Sequence, residues 1–152
     1  EIETLTEHDS GVLLSHGDAT GGYSLYLDKG RLVHDLNIGG VHQLLTSHKP
    51  IPIGQHHVQF RMRRHRQNDG QVQGVATLWL NNEQVAELET DKIFHLMISW
   101  SGLDVGFDRG TTVGNYPSPF RFSGKLHKVT VDLEDDQELD HDGAGRVEMA
   151  RE

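Results

Sequence analysis

The chain has 152 residues, 35% of them hydrophobic, with 17 glycines, no cysteine and a formal net charge of −9. That length suits one domain that buries about two thirds of its unfolded surface. No apolar run approaches the roughly 18 residues of a membrane span. The absence of cysteine excludes disulfide and thiolate chemistry, and the acidic balance argues against nucleic acid or an anionic membrane as a partner.

The opening residues, EIETLTEHDS, lack the basic start and apolar core of a secretory leader, and the sequence leaves the compartment open. GVLLS (11–15) is a short apolar run bounded by turn residues and predicts a buried strand; GDATGG (17–22) predicts a loop. YSLYL then alternates, with Tyr23, Leu25 and Leu27 on one face and Ser24 and Tyr26 on the other. Asp28-Lys29-Gly30 turns the chain into RLVHDLN as a hairpin, and VHQLLT (41–46) follows Gly39-Gly40 as another strand. Pro50 and Pro52 interrupt pairing, because proline cannot donate to a ladder.

GQHHVQFRMRRH (54–65) is the clearest alternation. It predicts Val58, Phe60 and Met62 inward and His57, Gln59, Arg61 and Arg63 outward. Asn68-Asp69-Gly70 opens a loop, and GVATLWL turns at Asn81-Asn82 into EQVAEL as a second hairpin. FHLMISW (94–100) reads as a strand ended by Ser101-Gly102. In the closing run Val129, Val131 and Leu133 share a face that Leu126 does not, which predicts a bulge near His127-Lys128.

About ten strand-like runs and no convincing amphipathic helix before residue 134 predict an all-β domain over residues 1–133. The pattern suits a jelly-roll-like two-sheet sandwich or a barrel; two antiparallel sheets packed face to face fit better, because the alternating runs each show one apolar and one polar side. Residues 134–152 form an acidic tail, with six carboxylates between Glu134 and Asp142. Such a block repels itself and stays solvated; the expectation here is that it packs on the sandwich or on a neighbouring chain.

The candidate chemistry is thin. Glu134, Asp136 and Glu138 fall at the alternate spacing of paired glycosidase carboxylates, but lack interleaved aromatic or β-branched residues. Asp104 and Asp108, four apart at a strand end and loop, carry the oxygen chemistry of Ca²⁺, although Asp beside Gly is also ordinary turn chemistry. Calcium is the one cofactor these residues suggest; otherwise none is expected. His56 and His57 point to opposite faces of a strand, and no zinc spacing occurs among the 11 histidines.

Arg61, Arg63, Arg64 and Arg66 form the one basic cluster. Arg61 and Arg63 share a polar strand face suited to sulfate, phosphate or carboxylate, or simply to a solvated strand end. Arg109 and Tyr116 in the closing loop complete the ligand-binding candidates. Trp79 and Trp100 sit in apolar runs, so core placement is expected over sugar stacking. GxSxG, P-loop and GxGxxG patterns are all missing.

Four runs, taken in order and spacing, resemble a known family. They are GVLLSHGDATGGYSLYLDKGRLVHDLN, PIPIGQHHVQFRM, ATLWLNNEQVAEL and GLDVGFDRGTTV…PFRFSGKLHKVTVDL. Together they cover most of residues 11–133 and are similar to the C-terminal accessory domain of bacterial arylsulfatase-type enzymes. The resemblance implies a laminin-G or concanavalin-A-like sandwich that is itself non-catalytic. It also implies a sulfatase catalytic domain or self-association as the partner, with sulfate-ester hydrolysis belonging to the parent protein. That hydrolysis needs a Cys/Ser-x-Pro-x-Arg motif. Here Pro119-Phe120-Arg121 imitates its end, but Pro117 stands at the nucleophile position, so no catalytic residue carries over. The alternatives are a carbohydrate-binding module, with Arg61 or Arg63 on a sulfated glycan, and a sandwich-fold glycosidase using the tail.

Overall fold

A computed structural model describes residues 1–66, 72–92 and 101–132. Among them there is no helix; eleven strands form three sheets whose ladders are all antiparallel. The largest sheet is a meander, β2 (Gly11–Asp18), β3 (Gly21–Asp28), β4 (Arg31–Ile38) and β5 (Val41–Thr46), with β10 (Leu103–Val105) added beside β2. A second sheet joins β7 (Val58–Arg66), β8 (Val72–Leu80) and β9 (Glu83–Thr90). The third is small: β1 (Ile2–Thr4) lies between β6 (Gly54–His56) and β11 (Lys125–Leu126).

Two-residue turns set the meander. Lys29-Gly30 and Gly39-Gly40 each have two consecutive positive φ values (49° and 78°; 61° and 83°), the geometry whose twist matches that of paired strands. The stretch read as a loop at 17–22 is instead the end of a hairpin, since the ladder runs on to Gly17↔Gly22 and Asp18↔Gly21. Only Ala19 and Thr20 turn the chain, and Thr20 donates its backbone N–H to Asp18 Oδ1 at 2.8 Å. A Cβ on Gly17 would strike the Gly21 carbonyl and one on Gly22 the His16 carbonyl. Glycine here serves close pairing, and glycine density misled the loop assignment.

One face of the meander packs on β7–β9. Leu27, Leu32 and Leu45 meet Ala76, Leu78, Val85 and Ala86 in one cluster, joined by Ile2, Leu13 and Ile51. Leu27, Leu32 and Leu78 are fully shielded, and each contributes roughly 2 kcal/mol by burial. A bulge after Leu78 in the β8–β9 ladder lets consecutive Val85 and Ala86 both face inward. Val58, Phe60 and Met62 pack against this core half-buried, while His57, Arg61 and Arg63 are exposed, matching the alternation.

His57 alone separates β6 from β7, and it exchanges hydrogen bonds with Asn81: N–H to Oδ1 at 3.0 Å, carbonyl from N–H at 2.6 Å. The small sheet therefore continues the β7–β9 layer along the chain, and the arrangement is that of a β-sandwich.

At the closing run, the N–H groups of His127 and Lys128 both donate to the Glu1 carbonyl, at 2.9 and 3.3 Å. Two donors on one acceptor is the hydrogen-bond pattern of a bulge, and Leu126 packs on the core. The paired strand ends at Leu126, however, and Val131 is exposed rather than core-facing. The loop at 68–70, the strand expected at 94–100 with Trp100, and the acidic tail from Glu134 onward lie outside the described residues.

Candidate functional site

The expected polar face of the meander is not open to water. Ser24, Asp35 and Asn37 are at most 1% exposed, and Tyr26 is buried with Val12 and Val33. The covering layer is the Gly106–Phe122 loop, which places Val113, Tyr116 and Phe120 over the sheet. Its backbone is stitched down: Gly106 N–H donates to the Leu13 carbonyl at 3.1 Å, and Val12 N–H to the Phe120 carbonyl at 2.9 Å. Asn37 Nδ2 donates to the Val113 carbonyl at 3.0 Å. Tyr26, Tyr116 and Phe120 form an aromatic triangle with centroids 4.9–6.0 Å apart.

Four sequence candidates fall in this region and pair off. Asp108, 1% exposed, accepts the Val113 N–H at 3.1 Å and the Tyr116 hydroxyl at 2.7 Å on one oxygen. Burial, followed by contact with Asp108, pushes the Tyr116 phenol well above its ordinary value. Asp104 accepts the Arg109 backbone N–H at 2.8 Å and its Nε at 2.7 Å, and its Oδ1 also lies 2.7 Å from the second guanidinium nitrogen. Both carboxylates are thus already engaged by protein donors, each folding the loop on itself. Among the described residues no group of three or more His, Asp or Glu side chains could hold a metal ion.

The sequence reading missed Asp35 and His42. Asp35 lies beneath the loop, so close that a Cβ on Gly114 would approach Asp35 Oδ2 at 2.9 Å. Its two oxygens each lie 3.0 Å from His42 Nδ1. Burial raises the Asp35 pKa, partly offset by His42. Asp35 pairs with Leu44 and Asn37 with His42, so alternation does put these residues on the outer face. Nothing in the alternation shows that a loop 70 residues away would cover them.

The outer face of β7–β9 carries exposed Arg61 and Arg63 among the described residues. Register puts Gln59, Trp79 and Gln84 in one row, Arg61, Thr77 and Glu87 in the next, and Arg63, Val75 and Glu89 in a third. Trp79 therefore faces out, contrary to the core placement expected: Leu78 takes the inward position and Trp79 is half-buried. Its ring N–H donates to Thr77 Oγ1 at 3.0 Å, and the Arg61 guanidinium carbon lies 4.9 Å from the ring centroid. Arg61 also donates to Gln59 Oε1 at 2.8 Å. Arg64 has the opposite parity, so of these three arginines Arg61 and Arg63 share this face.

An open cleft lined by Glu1, Ile2, Gln55, His56, His57 and His127 sits by the small sheet. Its imidazoles do not converge: His56 Nε2 meets the Pro52 carbonyl at 2.8 Å, and His127 Nε2 lies 3.5 Å from Glu3. Comparison with protein-family models, curated proteins and solved structures returns no match.

Proposed function

We propose that this chain is a non-catalytic sandwich of the jelly-roll, laminin-G or concanavalin-A-like kind that works by contact. It packs against the catalytic domain of an arylsulfatase-type protein, or against a second copy of itself. The supporting observation is what the Leu103–Leu133 stretch, the strongest part of the family resemblance, does within this fold. Its polar residues Asp104, Asp108, Arg109 and Tyr116 bind one another and hold a loop over a sheet. Residues so committed serve architecture, and hydrolysis of the sulfate ester falls to the parent protein.

The test is thermal stability of the 152-residue chain with and without the sulfatase catalytic part of its full reading frame. At 100 times its dissociation constant a partner contributes about 2.7 kcal/mol, or roughly 5 °C or more for a domain of this size. No shift and no association with either the catalytic part or itself would count against the reading.

A further inference from the structure

The outer face of β7–β9 combines features that the contact role does not use. In a chain of net charge −9, Arg61 and Arg63 project from one strand on the same side, at a spacing of about 7 Å. Neither forms an ion pair with a carboxylate among the described residues. Arg61 is held in place by the Trp79 ring and by Gln59 Oε1, so less side-chain freedom is lost when its remaining donors are engaged. In the row beside it the Trp79 indole lies next to the Gln59 amide, while Gln84, on the far strand, donates its Nε2 to Glu87 at 2.9 Å.

We propose that this face binds an acidic polysaccharide. Carboxylate or sulfate groups are held by Arg61 and Arg63, and sugar hydroxyls by Gln59 and the margin of Trp79. Guanidinium forks match both oxyanions in a bidentate manner. A wide polyanion such as duplex nucleic acid fits less well, because Glu87 and Glu89 line the far side of the same face. A single extended glycan can follow the β7 side and avoid them.

The experiment is affinity electrophoresis of the full chain through gels containing polygalacturonate, dextran sulfate, neutral dextran or poly-glutamate. Retardation is expected with one or both acidic polysaccharides, and the two gels separate carboxylate from sulfate recognition. The double change Arg61→Gln/Arg63→Gln should weaken it at least tenfold. Arg63→Gln alone, which removes no hydrogen bond among the described residues, should weaken it several-fold with an unchanged melting temperature. No retardation by either polysaccharide would overturn the proposal. So would equal retardation of wild type and double variant, or retardation by poly-glutamate as strong as by the glycans. None of these outcomes bears on whether the chain docks on a catalytic domain, so the two readings stand or fall separately.

Discussion

The two faces of the meander are both covered, by different chemistry. One meets a second sheet through aliphatic side chains such as Leu27, Leu32, Leu78 and Ala86. The other meets a loop that Asp108 folds on itself through Val113 and Tyr116, and that Asn37 ties to the sheet through the Val113 carbonyl, around a small cluster of aromatic and β-branched residues. Apolar contact is non-directional and tolerates repacking. A buried polar layer does not, because each donor or acceptor left unmatched carries its full desolvation cost. The oily face should therefore set how stable the domain is, and the polar face how uniquely the loop sits.

The sharpest break in the comparison is a cavity on the oily face. Leu78→Ala or Leu27→Ala should cost about 3–4 kcal/mol and move the whole urea transition to lower concentration. Spectroscopic signals from both faces should change together. On the polar face, Asp108→Ala strips an acceptor from two donors and should cost about 3 kcal/mol. In this variant the Val113 and Tyr116 signals should be lost at lower denaturant than those of the β7–β9 sheet. Coincident loss of all signals would erase the distinction between the faces.

A titration sharpens it further. His34 is 5% exposed on the oily side, stacked on Phe60 with ring centroids 3.6 Å apart and facing Tyr23 at 6.4 Å. Burial pushes its pKa from 6.5 down to about 3. Between those values the unfolded chain takes up a proton that the folded chain refuses. Stability is therefore complete above pH 6.5 and falls as pH drops through that window, by about 2 kcal/mol at pH 5 from this group. Urea titrations of wild type and His34→Gln should differ in slope over that range; identical slopes would mean that His34 is accessible to protons in the fold.

The smallest effect belongs to the rim of the loop. Arg109 is largely exposed where it meets Asp104, so Arg109→Gln should cost less than about 1 kcal/mol and lower the melting temperature by a few degrees at most.

Sequence alternation located most strands and the inward set Val58, Phe60 and Met62, because a period of two is imposed by the backbone itself. It gave the correct faces of β3 as well, but not their surroundings. Ser24 and Tyr26 lie opposite Leu25 and Leu27, as alternation dictates, yet they are buried, since a distant segment folds over them. Trp79 failed for a related reason. An indole between two leucines looks like core, whereas parity alone put it outward, with Arg61 as its cover. The pairings Asp104–Arg109 and Asp108–Tyr116 depend on how the loop coils and leave no periodic trace. That is why the four residues looked like site candidates when read singly.

Native-state hydrogen exchange at single amides tests the doubly covered sheet most directly. The amides of Val12, Gly106 and Val113, bonded to Phe120, Leu13 and Asp108 respectively, should exchange orders of magnitude more slowly than unstructured amides. Asp108→Ala should release Val113 while leaving the β7–β9 amides protected. Val113 and Gly106 exchanging at unprotected rates in the wild-type chain would mean that the loop is no layer and that the polar face of the meander lies open to water.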